Sequence, residues 1–131
     1  MNIKTIECSI PGKFYKLSHS GDVDTYFEAE IRIYPQDNLN PMQIKIQITY
    51  ELIRQFHTDL KLISRMGDID MSSQGDLPSL INSNGEKVLD QQMMENIEEY
   101  LNRLQNNPSL LNLIVFKKFI SDNIILDGEF E

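Results

Sequence analysis

The chain has 131 residues, of which 40% are hydrophobic and 24% charged, and its formal net charge is −8. These values predict one soluble globular domain with its own core, and the acidic balance excludes a general nucleic-acid-binding protein. No apolar run approaches the roughly 20 residues that a membrane-spanning helix needs. Residues 1–5 also lack the basic start and apolar centre of a signal peptide.

Cysteine and histidine are too few for most catalytic or metal chemistry. Cys8 is the only cysteine, which excludes an internal disulfide bond and favours a reducing, cytoplasmic location. No His, Cys, Asp or Glu residues have metal-ligand spacing, and nothing near Cys8 in the sequence indicates an activated thiol. We therefore predict that the protein is not an enzyme and binds no metal or cofactor.

Three stretches alternate apolar and polar residues, which is typical of strands with one buried and one solvent-facing side. Short connections join them, so we expect consecutive strands to pair as an antiparallel meander. The predicted strands cover residues 3–17, with a break or bulge at Pro11–Gly12, then residues 25–34 and 42–54.

Helical spacing replaces this alternation after the third strand. Thr58 is predicted to cap a first helix, and a loop that contains Pro78 leads to the longest helix, over residues 86–105. Pro108 then begins one or two closing helices. Strands and helices are segregated along the chain, which predicts an α+β domain over residues 1–121: a three-stranded antiparallel meander packed against three to four helices. Residues 122–131 are predicted to be an acidic tail.

The hydrophobic pattern also predicts the core. Ten residues with strand or helix periodicity should be buried together: Phe27, Ile31, Ile44, Ile46, Ile48, Leu60, Ile97, Leu101, Leu104 and Phe116.

The order of elements and two stretches of sequence resemble the phox-homology (PX) domain, a phosphoinositide-binding module of sorting nexins and of oxidase or polarity scaffolds. Ile97–Pro108, followed by Leu110–Leu111 and Phe116–Phe119, is similar to the last helices of that family. Ile53–Leu60 is similar to its strand-to-helix motif, Val-Arg-Arg-Arg-Tyr-Ser-Asp-Phe. The resemblance spans residues 3–121 and implies the fold of the family and a role in trafficking or polarity.

The resemblance also implies a cationic clamp for a lipid headgroup, most of which is missing here. In the family an arginine precedes the motif tyrosine, a lysine follows a Pro-Pro pair, and another arginine lies early in the long helix. The matching positions carry Phe56 and His57, Leu80, and Met93 or Met94. Phosphate recognition depends on charge-assisted hydrogen bonds, which Phe, Leu and Met cannot supply. The chain thus resembles a degenerate member of the family, with weak or absent phosphoinositide binding.

Four residues are candidates for a residual headgroup site: Arg54, His57, Lys61 and Lys87. Arg54 lies two residues before the position of the motif arginine, which keeps it on the same face of a strand. The alternative is a solvated arginine at a strand end. His57 is either a pH-sensitive group or a polar residue at a helix start.

Acidic residues cover one face of the long predicted helix, notably Glu95, Glu98 and Glu99. The simpler interpretation is a solubilising surface, and the alternative is a docking face for a basic partner protein. We predict a non-catalytic PX-like interaction module of a trafficking or polarity scaffold, which acts mainly through other proteins. The alternative is a phosphoinositide-binding, membrane-targeting domain of the sorting-nexin type with a non-standard site, located peripherally on endosomal or other internal membranes.

Overall fold

The computed structural model describes residues 2–12, 14–19, 22–37 and 39–125, with the backbone alone for 14–19 and 22–24. Four strands precede four helices. In chain order the elements are β1 Ile3–Ser9, β2 Phe14–His19, β3 Asp22–Pro35, β4 Met42–Thr49, α1 Tyr50–Met66, α2 Asp90–Asn102, α3 Pro108–Leu111 and α4 Ile114–Asp122, with short 3-10 turns at Ser72–Gln74 and Arg103–Asn106.

The strands form one antiparallel sheet around β3. β4 pairs with residues 26–33 of β3, β1 with residues 30–35 and β2 with residues 22–27. The β1 and β2 segments each overlap the β4 segment but not each other, so β1 and β2 lie end to end on the side of β3 opposite β4. β1 and β2 are therefore two pieces of one strand, interrupted at Pro11–Gly12, where Gly12 has a positive φ of 80°. With its four helices, the domain confirms the predicted α+β fold: a three-stranded antiparallel meander whose first strand is broken, packed against helices.

A single core lies between the sheet and the helices. It is built from the alternating residues of β3 and β4 and from the inner faces of α1, α2 and α4. Phe56 of α1 packs against Phe116 and Phe119 of α4, with ring centroids 6.2 Å and 4.6 Å away. All ten predicted core residues are buried except Ile44, which is half-buried and packs against the rest.

The cap of the first helix lies nine residues before Thr58, the predicted cap. Thr49 caps α1, and its side-chain oxygen accepts the N–H of Leu52 at 3.1 Å. β4, which is the third predicted strand, therefore ends at Thr49, and the prediction that it reaches residue 54 is wrong. Thr58 lies inside the helix, where its hydroxyl donates to the Arg54 carbonyl at 3.0 Å. From Ile53 onward the buried residues follow helical spacing, which the alternation just upstream obscured.

The helix predicted over residues 86–105 is shorter than expected. α2 has 13 residues and α1 has 17, so α1 and not α2 is the longer of the two. Residues 80–88 form a small hairpin instead, in which Ile81 bridges Lys87 and the Val88 N–H donates to the Leu80 carbonyl at 2.9 Å. Gly85, with a φ of 80°, permits the turn. This backbone pairing prevents the helix from starting at residue 86.

Two asparagine amides cover the outer edge of β1. The Asn102 side chain accepts the N–H of Cys8 at 2.8 Å and donates to the Cys8 carbonyl at 2.9 Å. Asn112 makes the same pair of bonds with Ile3, at 2.7 Å and 2.9 Å. Each amide thus takes the place of a neighbouring strand and satisfies backbone groups that an edge would otherwise expose.

The chain after α4 pairs with the outer edge of β4. The Gln47 N–H donates to the Asn123 carbonyl at 2.9 Å, and the Ile125 N–H donates to the Lys45 carbonyl at 2.8 Å. The beginning of the predicted acidic tail thus lies against the sheet. The rest of that tail, residues 126–131, lies outside the described residues.

Candidate functional site

A cleft of about 450 Å³ lies where the first turns of α1 and α2 meet the 80–88 hairpin. Buried apolar side chains form part of its lining, and the polar groups come from the two helix starts. The lining residues are Thr25, Phe27, Thr49, Tyr50, Glu51, Leu80, Lys87, Val88, Asp90 and Met93.

Among the described lining residues of the cleft, negative side chains outnumber positive ones. A helix start presents free N–H groups and a partial positive charge, which can receive an anion. Here Glu51 lies in the first turn of α1 and Asp90 in the first turn of α2, so each helix start already has a carboxylate. Lys87 is the one cation among the described lining residues. A phosphate in this cleft would therefore meet two carboxylates and one ammonium group.

The wall of the cleft is held by contacts of Tyr50 and Glu51. The Tyr50 hydroxyl donates to the Pro78 carbonyl at 2.9 Å, which attaches residues 77–80, the proline segment, to α1. Burial raises the pKa of this hydroxyl, against the opposing charge of Arg54. The Arg54 guanidinium makes two hydrogen bonds to the Glu51 carboxylate, one of them from Nε at 3.1 Å, and lowers the pKa of Glu51.

The structure distributes the four predicted headgroup residues over separate places. Lys87 lines the cleft. Arg54 is exposed and bound to Glu51, so its charge is already paired. His57 and Lys61 lie further along α1 and line a different pocket of about 290 Å³, together with Asp76. The structure does not bring the four together, because the segment from residue 50 onward is a helix and turns its side chains in different directions. Their role in headgroup binding stays a prediction.

His57 is a hydrogen-bond partner of the buried Tyr100 hydroxyl. Its Nδ1 lies 2.6 Å from the Tyr100 hydroxyl, and the two rings meet edge to face with centroids 5.5 Å apart. Burial lowers the pKa of His57, the charge of Lys61 lowers it further, and Asp76 opposes both. Burial also raises the pKa of Tyr100, which keeps that phenol neutral. The contact joins α1 to α2.

The stretch matched to the PX motif does not lie at a strand-to-helix junction. Ile53–Leu60 is inside α1, and Phe56 is in the core, so no phosphate ligand can stand at that position. The junction is Thr49–Glu51, which does line the cleft. Leu80 lines it as well, and so does Met93, one of the two residues matched to the helix arginine; Met94, the other, is not among the lining residues.

The three acidic residues predicted as a docking face behave differently from one another. Glu95 is exposed on α2. Glu99 is exposed and forms an ion pair with Arg103 at 2.8 Å. Glu98 accepts the backbone N–H of Ile10 at 2.8 Å and so belongs to the cover of the β1 edge. Glu98 thus differs from the exposed Glu95 and Glu99, because its carboxylate is bound to the sheet. The docking role of the three residues stays a prediction.

Cys8 is unsuited to nucleophilic chemistry. It is buried, and burial together with the charge of Glu98 raises its pKa to about 12. The thiol therefore stays protonated at neutral pH. Within residues 2–12, 14–19, 22–37 and 39–125, no three His, Cys, Asp or Glu residues are grouped to hold a metal ion. None of the described helices combines the length and apolarity needed to cross a bilayer.

Two features of the surface were missed by sequence reasoning. The carboxylates of Glu51 and Asp90 were not assigned to the cleft, although an acidic residue just after Thr49 is a typical mark of a helix start. The second feature is an apolar groove of about 370 Å³ between α1 and α4. Leu62, which lines it, is an apolar residue of α1 outside the core face and was the available signal.

The comparisons with known proteins identify no family for this chain. No protein-family model matches the chain, and no curated protein matches its sequence. The resemblance to the PX family therefore stays a prediction, based on the order of elements and on the sequences of Ile53–Leu60 and Ile97–Pro108.

Proposed function

We propose that this protein is a non-catalytic, PX-like interaction module of a trafficking or polarity scaffold, located in the cytoplasm, which acts mainly through contacts with other proteins. The observation that carries the proposal is the charge of the cleft at the starts of α1 and α2. The resemblance implies that this junction, the proline segment and the long helix hold a lipid phosphate with cations. In this chain the three elements present Glu51, Leu80 and Asp90, with Lys87 as the counter-charge.

Electrostatics makes this cleft a poor phosphate site. A phosphate is held by charge-assisted hydrogen bonds from cations, and a carboxylate in the same cleft repels it. The Arg54 guanidinium and the Glu51 carboxylate are bound to each other, so neither offers a free charge. Among the described lining residues Lys87 is then the one cation left to attract a phosphate, and Asp90 opposes it. The net charge of −8 adds repulsion from an anionic membrane. We expect phosphoinositide binding to be weak or absent.

The second candidate function is membrane targeting of the sorting-nexin type through a non-standard site. Large apolar side chains are exposed on the hairpin that borders the cleft and at the start of α2, namely Leu80, Ile81 and Leu89. Together with Lys87 they form an apolar and basic edge that suits a membrane interface. This function would place the protein peripherally on endosomal or other internal membranes.

Vesicle co-sedimentation tests the two functions. The vesicles contain phosphatidylcholine and phosphatidylserine, with or without phosphatidylinositol 3-phosphate or a multiply phosphorylated phosphoinositide. We expect the parent protein to bind each vesicle equally weakly. The double variant Glu51→Gln, Leu80→Lys removes a carboxylate, frees Arg54 and adds a cation, so it should bind phosphoinositide vesicles about ten-fold more tightly.

The matched control carries the same changes at exposed positions outside the cleft, Glu95→Gln with Leu39→Lys. Its vesicle binding should stay close to that of the parent. The Phe56→Arg change suggested by the motif is unsuitable, because it would bury a charge in the core. Tight, headgroup-selective binding by the parent that Lys87→Ala removes would overturn the proposal in favour of membrane targeting.

A further inference from the structure

We infer that the groove between α1 and α4 binds an amphipathic helix of a partner protein, with basic residues beside its apolar stripe. The inference rests on the proposed function as a protein-interaction module and names the class of partner. It concerns a surface other than the cleft, because none of the groove residues lines that cleft.

The floor of the groove is apolar and firmly packed. Phe56 and Phe119 form part of it, with ring centroids 4.6 Å apart, and both side chains are buried in the core. Along α1 the groove extends from Leu52 to Ile63. At 1.5 Å per residue this stretch is roughly 16 Å long, or three helical turns. A groove of that length accommodates apolar anchors at positions i, i+4 and i+7 of a docked helix.

The two walls expose large apolar side chains. Leu62 on α1 is 55% exposed and Ile114 on α4 is 74% exposed. Both line the groove from opposite helices. Met66, one turn after Leu62, extends the exposed apolar stripe of α1. An apolar floor with exposed apolar residues on both sides is typical of a surface that a partner covers.

The groove favours a helix over an extended segment. Both walls are helices, whose backbone N–H and C=O groups are bonded within the helix except near the ends. Along these two helices an extended segment would find no sheet edge with which to pair its own backbone. A helix satisfies its backbone groups internally and needs only side-chain contacts, which the groove supplies.

The charges around the groove indicate which residues should flank the apolar stripe of the docked helix. The polar rim includes the carboxylates of Asp59 and Asp122 and the ammonium group of Lys118. Asp59 accepts a hydrogen bond from the neutral Gln55 amide at 2.9 Å, which leaves its charge in place. The whole chain carries a charge of −8, which attracts a basic partner. A second copy of this chain would bring another −8 and be repelled.

A designed peptide probes the groove directly. The peptide is a fluorescein-labelled helix of four turns with leucines on one face and Lys and Arg elsewhere, titrated by anisotropy against the full chain. One comparison peptide keeps the leucines and replaces the basic residues with Glu. Another has the same composition in an order that scatters the leucines around the helix. We expect the basic amphipathic peptide to bind about ten-fold more tightly than either.

Protein variants locate the binding. Ile114→Glu and Leu62→Glu place a charge on exposed positions of the groove walls, so the fold should persist while affinity falls about ten-fold. Leu39→Glu makes the same change at an exposed position outside the groove and should leave affinity unchanged. Circular dichroism of each variant checks that the helices remain.

Several results would overturn the inference: equal binding of the three peptides, no saturable binding, or equal weakening by Leu39→Glu and Ile114→Glu. A dimer of the parent that Ile114→Glu converts to a monomer would make a second copy the occupant and overturn it too. The vesicle assay reports on the cleft alone. Selective vesicle binding by the parent that Lys87→Ala abolishes overturns the proposed function. If the parent binds neither the vesicles nor the basic amphipathic peptide, only this inference is overturned.

Discussion

The contact between His57 and Tyr100 illustrates how a single polar residue supports a buried aromatic. Tyr100 is fully buried, and the imidazole of His57 is 2.6 Å from its hydroxyl. A buried hydroxyl without a partner costs roughly 1–3 kcal/mol. The buried Gln74 amide donates to the Tyr100 carbonyl at 2.6 Å and ties the turn before the proline segment to the same residue. His57 is thus a structural group of the helix pair.

The lowered pKa of His57 makes stability depend on pH. The folded chain resists protonation of His57, chiefly through burial and then through the charge of Lys61. The unfolded chain binds that proton from about pH 6.5 downward. The contribution of His57 should therefore be complete above about pH 6.5 and decline as pH falls toward the lowered pKa. Urea unfolding of the parent and His57→Gln from about pH 8 to about pH 5 measures it.

The free-energy difference between the two proteins should shrink as pH falls through that window. Other titrating groups are common to both proteins and cancel in the difference. A difference that stays constant across the series would contradict the lowered pKa.

The edge of β1 is closed by side chains rather than by another strand. Asn102 and Asn112 each bond to both backbone groups of one β1 residue, and Glu98 accepts the N–H of Ile10. An uncovered edge would be a template for pairing with another chain. α2 therefore has two roles, since its apolar face enters the core while its polar residues bind the sheet.

Replacing Asn102 tests this role. Asn102→Ala leaves the N–H and carbonyl of Cys8 unpaired beside the core, which costs roughly 1–3 kcal/mol for each group that stays without a partner. Asn96→Ala is the matched control, because Asn96 lies on the same helix and accepts a bond from the exposed Gln92 side chain. It should change stability by less than about 0.5 kcal/mol. Denaturant midpoints compare the two, and similar losses would refute the edge-cover role.

The molecule as a whole depends on one core shared by sheet and helices. Ile97 and Leu101 are completely buried on the face of α2 that meets this core. Truncating either residue to alanine should cost about 2–5 kcal/mol and lower the denaturant midpoint in a single transition. Leu89→Ala is the control, because Leu89 is 77% exposed at the start of the same helix. Unchanged stability of Ile97→Ala would exclude this face from the core.

The fold class followed from local patterns. Period-two alternation in β3 and β4 predicts strands because burial of one sheet face selects every second residue, and the core between sheet and helices obeys that selection. Pro11–Gly12 marks the break in the first strand for an equally local reason, since proline donates no hydrogen bond and Gly12 adopts a positive φ. Helical periodicity likewise predicted the burial of Ile97 and Leu101.

The sites depended on contacts between distant parts of the chain. Asn102 finds Cys8 across 94 residues, and Glu98 finds Ile10 across 88. Sequence periodicity does not predict such pairs. A polar side chain can bond to water or to a backbone group, and its partner is decided only when the fold brings the two elements together. Because α1 begins at Tyr50, Glu51 lies beside Lys87 in the cleft, whereas His57 lines a different pocket. The burial of an apolar residue follows from its own hydrophobicity and from its place in the periodic pattern, both of which the sequence shows. The partner of a polar group follows from the tertiary structure, because it depends on which elements pack together.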